Sequence, residues 1–198
     1  MKYVFAEPFL MYFAERAKLS VSKDWIGKST ASEKLTPIYM ALRAIKLNFQ
    51  LFFREKKIDW IIQASIGQGA ATPDHYIAFL PPGQKVSNGI YYCFCFDRDG
   101  KGCVGGAMTS LLTTQRIDEQ TIERAMQISP TAKNPSWELR KPNKINVWSR
   151  NNAFFNPVEF SRDDFEQVPA ATEKMMEEHI VASRQLVLSL ISRKKNLT

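Results

Sequence analysis

The sequence predicts an α+β fold: a central, mostly antiparallel sheet flanked by N-terminal and C-terminal helices. Three observations carry this expectation. Apolar residues recur at three- and four-residue steps toward both ends of the chain, which is the helical period. Between residues 58 and 112 the pattern changes to short β-branched and aromatic runs punctuated by glycine, proline and asparagine. Helical and strand segments are grouped along the chain and do not alternate, which argues against a parallel sheet. The 198 residues suit one domain spanning 1–198.

Residues 3–18 read as a first helix, with Phe5, Phe9, Tyr12 and Phe13 at helical spacing and Pro8 tolerated near the start. A polar stretch, 20–34, reads as a loop. The clearest helix spans 33–56, where Ile38, Leu42, Ile45, Phe49 and Phe52 form a stripe for burial. Arg43, Lys46, Gln50, Arg54 and Lys57 follow the same steps on another face, a cationic edge that suits either solvent or phosphate contact. Residues 58–66 read as a strand, 67–74 as a loop around Gly67-Gln68-Gly69 and Pro73, and 75–80 as a second strand. Ser87-Asn88-Gly89 turns into a third strand, 90–96, and Asp97-Arg98-Asp99-Gly100-Lys101-Gly102 signals a hairpin into a fourth, 103–112. Residues 118–128 look helical, and 129–144 form a basic, proline-bearing loop with Lys133, Arg140, Lys141 and Lys144. Residues 145–148 and 153–155 read as short strands. Ser161 with Asp164 three residues on resembles a capping box, and a last helix follows Pro169 with Met176, Ile180, Val187 and Ile191 on its apolar side.

Composition narrows the function classes. Lysine and arginine total 27 against 20 acidic residues, a formal charge of +7 that favours polyanionic partners. No stretch approaches the roughly 20 apolar residues that cross a bilayer, and Glu7 and Pro8 break the first apolar run, so no signal peptide or membrane partner is expected. Cys93, Cys95 and Cys103 are odd in number, and the first two share one strand face, so a reduced, cytoplasmic protein is expected.

The chemical candidates are few. Two histidines, His75 and His179, and three cysteines without C-x2-C spacing give no metal signature, and no flanking motif supports a Cys–His nucleophile; no metal, cofactor or catalytic residue is assigned. Gly27-Lys28-Ser29-Thr30 mimics the tail of a phosphate-binding loop, but Ser22 stands where that motif needs glycine and no buried strand precedes it. Asp163-Asp164 suits helix capping. Gly67-Gln68-Gly69 reads equally as a plain turn or a functional tip, and Tyr76 and Tyr91 read as core or as a binding surface.

The run Gln63-Ala64-Ser65-Ile66-Gly67-Gln68-Gly69, followed by His75-Tyr76-Ile77-Ala78-Phe79-Leu80 and by Gly83-Gln84-Lys85-Val86-Ser87-Asn88-Gly89-Ile90-Tyr91, resembles the N-terminal DNA-binding domain of McrB-type modified-cytosine restriction proteins. The likeness is densest from about 60 to 110. It implies a non-enzymatic specificity module of an antiviral restriction system that binds duplex DNA and flips a modified cytosine, 5-methylcytosine above all, into an aromatic pocket. It implies Tyr76 and Tyr91 as pocket walls, Cys95 on the floor, Trp148 closing the pocket, and Gln68 entering the duplex. Phosphate contacts would come from Arg43, Lys46, Arg54, Lys57, Lys133, Arg140, Lys141 and Lys144. The family's GTPase motor and nuclease would be separate subunits or lie in a longer protein. This chain differs from the best-known member in carrying Gln68 where that member has an aromatic wedge and Tyr76 where it has tryptophan; glutamine cannot stack as a ring does but can hydrogen-bond the orphaned guanine. Two other functions compete with this one: direct reading of unmodified sequence in the major groove, and a subunit-interaction module whose basic face meets an acidic partner.

Overall fold

The computed structural model describes residues 3–22, 24–109 and 154–195. Five antiparallel strands lie in sequence order, β1 (Ile61–Gln68), β2 (Ala70–Leu80), β3 (Ile90–Phe96), β4 (Gly102–Thr109) and β5 (Phe154–Ser161). The described helices are α1 (Ala6–Ser22), α2 (Thr36–Glu55), preceded by one 3-10 turn, α3 (Arg162–Gln167) and α4 (Pro169–Lys195). The expected α+β architecture is present. The helix expected over 118–128, the basic loop 129–144 and the strand at 145–148 lie outside the described residues.

The helices pack on one face of the sheet. Successive strand side chains point to opposite faces, so Ile62, Ile77, Phe79, Tyr92, Phe94, Cys103 and Phe160 meet them there. Phe49 of α2 is the hub: its ring centroid lies 4.5 Å from Phe5, 4.7 Å from Phe79 and 5.6 Å from Phe94. The stripe foreseen on α2 is buried together with Phe53, and that on α4 includes Met176, Ile180 and Val187. Gly105 lets this layer close, because a Cβ there would lie 2.2 Å from the Tyr92 hydroxyl, which bonds His179 Nδ1 at 2.9 Å. Ser161 caps α3 as expected: its hydroxyl accepts the Asp164 N–H at 3.1 Å, and the Asp164 carboxylate accepts the Ser161 N–H at 3.2 Å.

One expectation needs correction. Residues 67–74 are not a loop between strands; β1 runs to Gln68 and β2 begins at Ala70. The register explains why this segment has turn composition. Ser65 pairs with Tyr76 and Gly67 with Ala71, so four residues of β2, 72–75, stand opposite Ile66 alone and leave the ladder. Pro73 sits in that bulge, where its missing N–H costs no ladder bond.

Candidate nucleic-acid interface

The sheet face away from the helices carries a second apolar cluster: Tyr76, Ala78 and Leu80 of β2, Tyr91 and Cys93 of β3, and Met108 of β4, with Cys95 and Val86 packed against it. Its layout follows from register. Tyr76 pairs with Cys95, Ala78 with Cys93, Cys93 with Gly106, Tyr91 with Met108 and Cys95 with Val104. Three rows therefore cross the strands. Tyr76, Cys95 and Val104 form one bank, Leu80, Tyr91 and Met108 the other, and the smallest side chains, Ala78, Cys93 and Gly106, form the floor between them. At about 3.3 Å per residue the banks stand about 13 Å apart at their Cα atoms. The two tyrosines thus share a face, as expected, but Cys93 and not Cys95 lies between them.

Both phenols are enclosed. Tyr91 is 0% exposed and Tyr76 8%. The Tyr91 hydroxyl donates to the Val86 carbonyl at 3.2 Å, so the 81–89 connection forms part of the cover. Burial pushes both phenol pKa values up, and for Tyr76 a hydrogen bond with Ser65 partly offsets this. Burial likewise pushes the Cys93 and Cys103 thiols well above their ordinary range.

Beyond the Tyr76 end of the floor stands the β1–β2 tip. Gln68 pairs with Ala70 around Gly69, the tightest possible closure, and Gly69 has φ +74°. Gly67 has φ +132°, and a Cβ on it would lie 2.0 Å from the Ala70 carbonyl oxygen. Both glycines are therefore demanded by the backbone. The tip is pinned by the Gly27-Lys28-Ser29-Thr30 segment, which the sequence offered only as an imitation phosphate loop. Gly27 N–H donates to Ala71 O at 2.8 Å, Ala71 N–H to Lys28 O at 2.8 Å, and Thr30 N–H to Gly69 O at 3.1 Å. Lys28 is exposed beside the tip.

The bulge at the foot of this hairpin is anchored from α1. Tyr12 Oη lies 2.8 Å from His75 Nδ1, and buried Arg16 donates to the Pro73 carbonyl at 2.8 Å while its guanidinium stands 4.7 Å over the Trp25 ring. Burial opposes the Arg16 charge, and the nearby Asp97, Asp74 and Asp99 carboxylates support it. Arg98 donates twice to Asp74 Oδ1, at 2.9 and 2.6 Å.

The expected phosphate-contact residues do not gather here. Arg43, Lys46, Arg54 and Lys57 belong to α2 and the turn after it, and α2 buries its apolar stripe on the opposite sheet face. Their cationic edge is separated from the tyrosines by the sheet and the thickness of a helix, roughly 10 Å each. Lys133, Arg140, Lys141, Lys144 and Trp148 lie outside the described residues. Sequence reading missed Lys28 as a basic residue near the tip and Lys85 as an exposed one in the 81–89 connection. The signal for Lys28 was its glycine neighbour, which permits the close backbone approach to β2. No protein-family model matches the chain, and no curated protein matches it. Among the described residues, no helix is long and apolar enough to cross a membrane.

Proposed function

We propose that the chain is a DNA-binding specificity module that reads a modified cytosine, 5-methylcytosine by first expectation, after extruding it from the duplex. The observation that carries this reading is the row of small side chains, Ala78, Cys93 and Gly106, lying between banks that hold Tyr76 and Tyr91, with a tight glycine hairpin projecting at one end. The resemblance in residues 63–91 covers Tyr76, Ala78, Tyr91 and the glycine hairpin, while Cys93 and Gly106 lie beyond that run.

The energetics are compatible. Extrusion costs a few kcal/mol of stacking and pairing. Stacking a base on an aromatic ring returns about 1–3 kcal/mol per contact, so two rings roughly offset that cost. Phosphate contacts supply the net affinity and make it salt-dependent; the exposure of Lys28 beside the hairpin supports giving it this role. One buried methyl adds about 1 kcal/mol, so selectivity in a cell calls for flanking-base contacts or avidity in an assembly with motor and nuclease subunits. Because both rings are enclosed, entry of a base requires the cover over Tyr91 to part, and rupture of the Tyr91–Val86 hydrogen bond belongs to that step.

The complete burial of Tyr91 favours a second reading, in which this face is ordinary core and the chain is a subunit-interaction module. A gel-shift panel of matched duplexes separates the two. Cytosine, 5-methylcytosine, 5-hydroxymethylcytosine and N6-methyladenine are compared at one position. Tighter binding of one modified-cytosine duplex, lost in Tyr91→Ala, supports base reading; no binding to any duplex at low salt supports the second.

A further inference from the structure

The outward side of α2 carries an apolar seam of its own. Met40 is 55% exposed and Leu47 53%, and half-buried Ala44 and Leu51 continue the row. The spacing 40, 44, 47, 51 alternates four and three residues, the period of a helix-packing seam. It lies opposite the buried Ile38–Phe52 stripe, so the core does not use it. At 1.5 Å per residue the row is about 17 Å long, three turns of a partner helix. Alongside it, turned by roughly 70° around the axis, run the exposed residues Arg43, Gln50 and Arg54, with half-buried Lys46 beyond. Glu55, the acidic residue of this helix, is paired with Lys56 at 3.4 Å, and among the described residues no ion pair neutralises Arg43, Lys46 or Arg54.

We propose that this face is a docking site for one amphipathic helix of a partner protein, with an apolar seam that meets Met40, Leu47 and Leu51 and carboxylates that meet Arg43 and Arg54. Charge complementarity selects this occupant. A second copy of the chain would bring the same cations against themselves. A DNA backbone would leave the apolar row facing phosphates, and the tyrosine face lies on the other side of the sheet. A bilayer surface gains little here, because its binding scales with buried apolar area and only Met40 and Leu47 of the row are more than half exposed. The proposal stands apart from base reading and survives its failure.

The probe is a fluorescein-labelled peptide of three heptads, leucine at the seam positions and glutamate at the flanks, titrated with the full chain by anisotropy. Expected are saturable one-to-one binding, at least a tenfold loss in Leu47→Glu, at least a fivefold loss in Arg54→Glu, and no binding when lysine replaces the peptide's glutamates. Leu47 is exposed, so Leu47→Glu should keep the wild-type melting temperature; Leu47→Ala, expected to weaken binding severalfold, serves if it does not. Absence of saturable binding overturns the proposal, as does equal binding of the glutamate and lysine peptides. Three further arms also overturn it: an equal loss of duplex DNA binding in Arg54→Glu, concentration-dependent dimerisation abolished by Leu47→Glu, or Leu47-dependent binding to phosphatidylserine vesicles.

Discussion

Ala78 and Cys93 are directly paired at the centre of the sheet's second face, and their short side chains separate the bank that holds Tyr76 from the bank that holds Tyr91. The proposed base site is the floor between these banks.

A bulkier side chain on that floor should therefore block modified-base reading while sparing non-specific binding. Ala78→Leu is expected to abolish preference for 5-methylcytosine over cytosine and to leave weak, salt-sensitive duplex binding. The site is buried, so overpacking should also lower stability by about 1–3 kcal/mol. Paired gel shifts and a urea melt check both parts. Retained preference in a folded Ala78→Leu protein would remove this floor from the site.

Phosphate contacts are assigned by position relative to this face. Lys28→Glu should weaken duplex binding uniformly across sequences and reduce the salt slope by about one contact's worth, roughly 0.9. Arg43→Glu, on the helix side, should change neither. Affinity measured between 50 and 200 mM salt decides, and the reverse ranking would move the DNA to the outer side of α2.

The hairpin glycines are not equivalent. Gly69→Ala should cost about 1–2 kcal/mol, since φ +74° is left-handed but open space surrounds the site. Gly67→Ala should cost more and disrupt the hairpin, because its Cβ would strike the Ala70 carbonyl. Chemical denaturation gives the order, and equal costs would contradict the tip geometry.

Acid should loosen the anchor of the hairpin. Burial and the adjacent Arg16 guanidinium push the His75 pKa well below its ordinary 6.5. Above that pH His75 is neutral both folded and unfolded. Below it the unfolded chain takes up a proton that the folded chain refuses, so stability falls as pH drops, by up to about 1.4 kcal/mol per unit. His75→Gln should flatten that part of the decline. Urea midpoints at pH 7.5 and 5.5 for both proteins measure it, and identical pH dependence would contradict a neutral His75. At fixed pH, Tyr12→Phe should cost about 1–3 kcal/mol by stranding the His75 Nδ1 atom.

Much of the fold could be read from residue order. β3 matches its expected span, 90–96, because seven apolar and aromatic residues are bracketed by turn signals. The buried stripe of α2 followed from the helical period, and parity alone put Tyr91, Cys93 and Cys95 on one face. Parity within a strand says nothing about register between strands, so the pairing of Ala78 with Cys93, and hence the identity of the floor, could not be foreseen. Periodicity likewise groups Arg43 with Arg54 on one edge of α2 without saying which sheet face the helix covers. The 72–75 bulge was hidden because Thr72-Pro73-Asp74 has the composition of a loop and is held in place by Arg16 and Arg98, far away in sequence.

Extrusion itself is measured most directly by fluorescence of 2-aminopurine placed next to 5-methylcytosine in a duplex titrated with the protein. The expected result is a saturable rise, several-fold above that of the matched cytosine duplex and absent in Tyr91→Ala. Saturated binding with no rise for either duplex would mean that the base never leaves the stack.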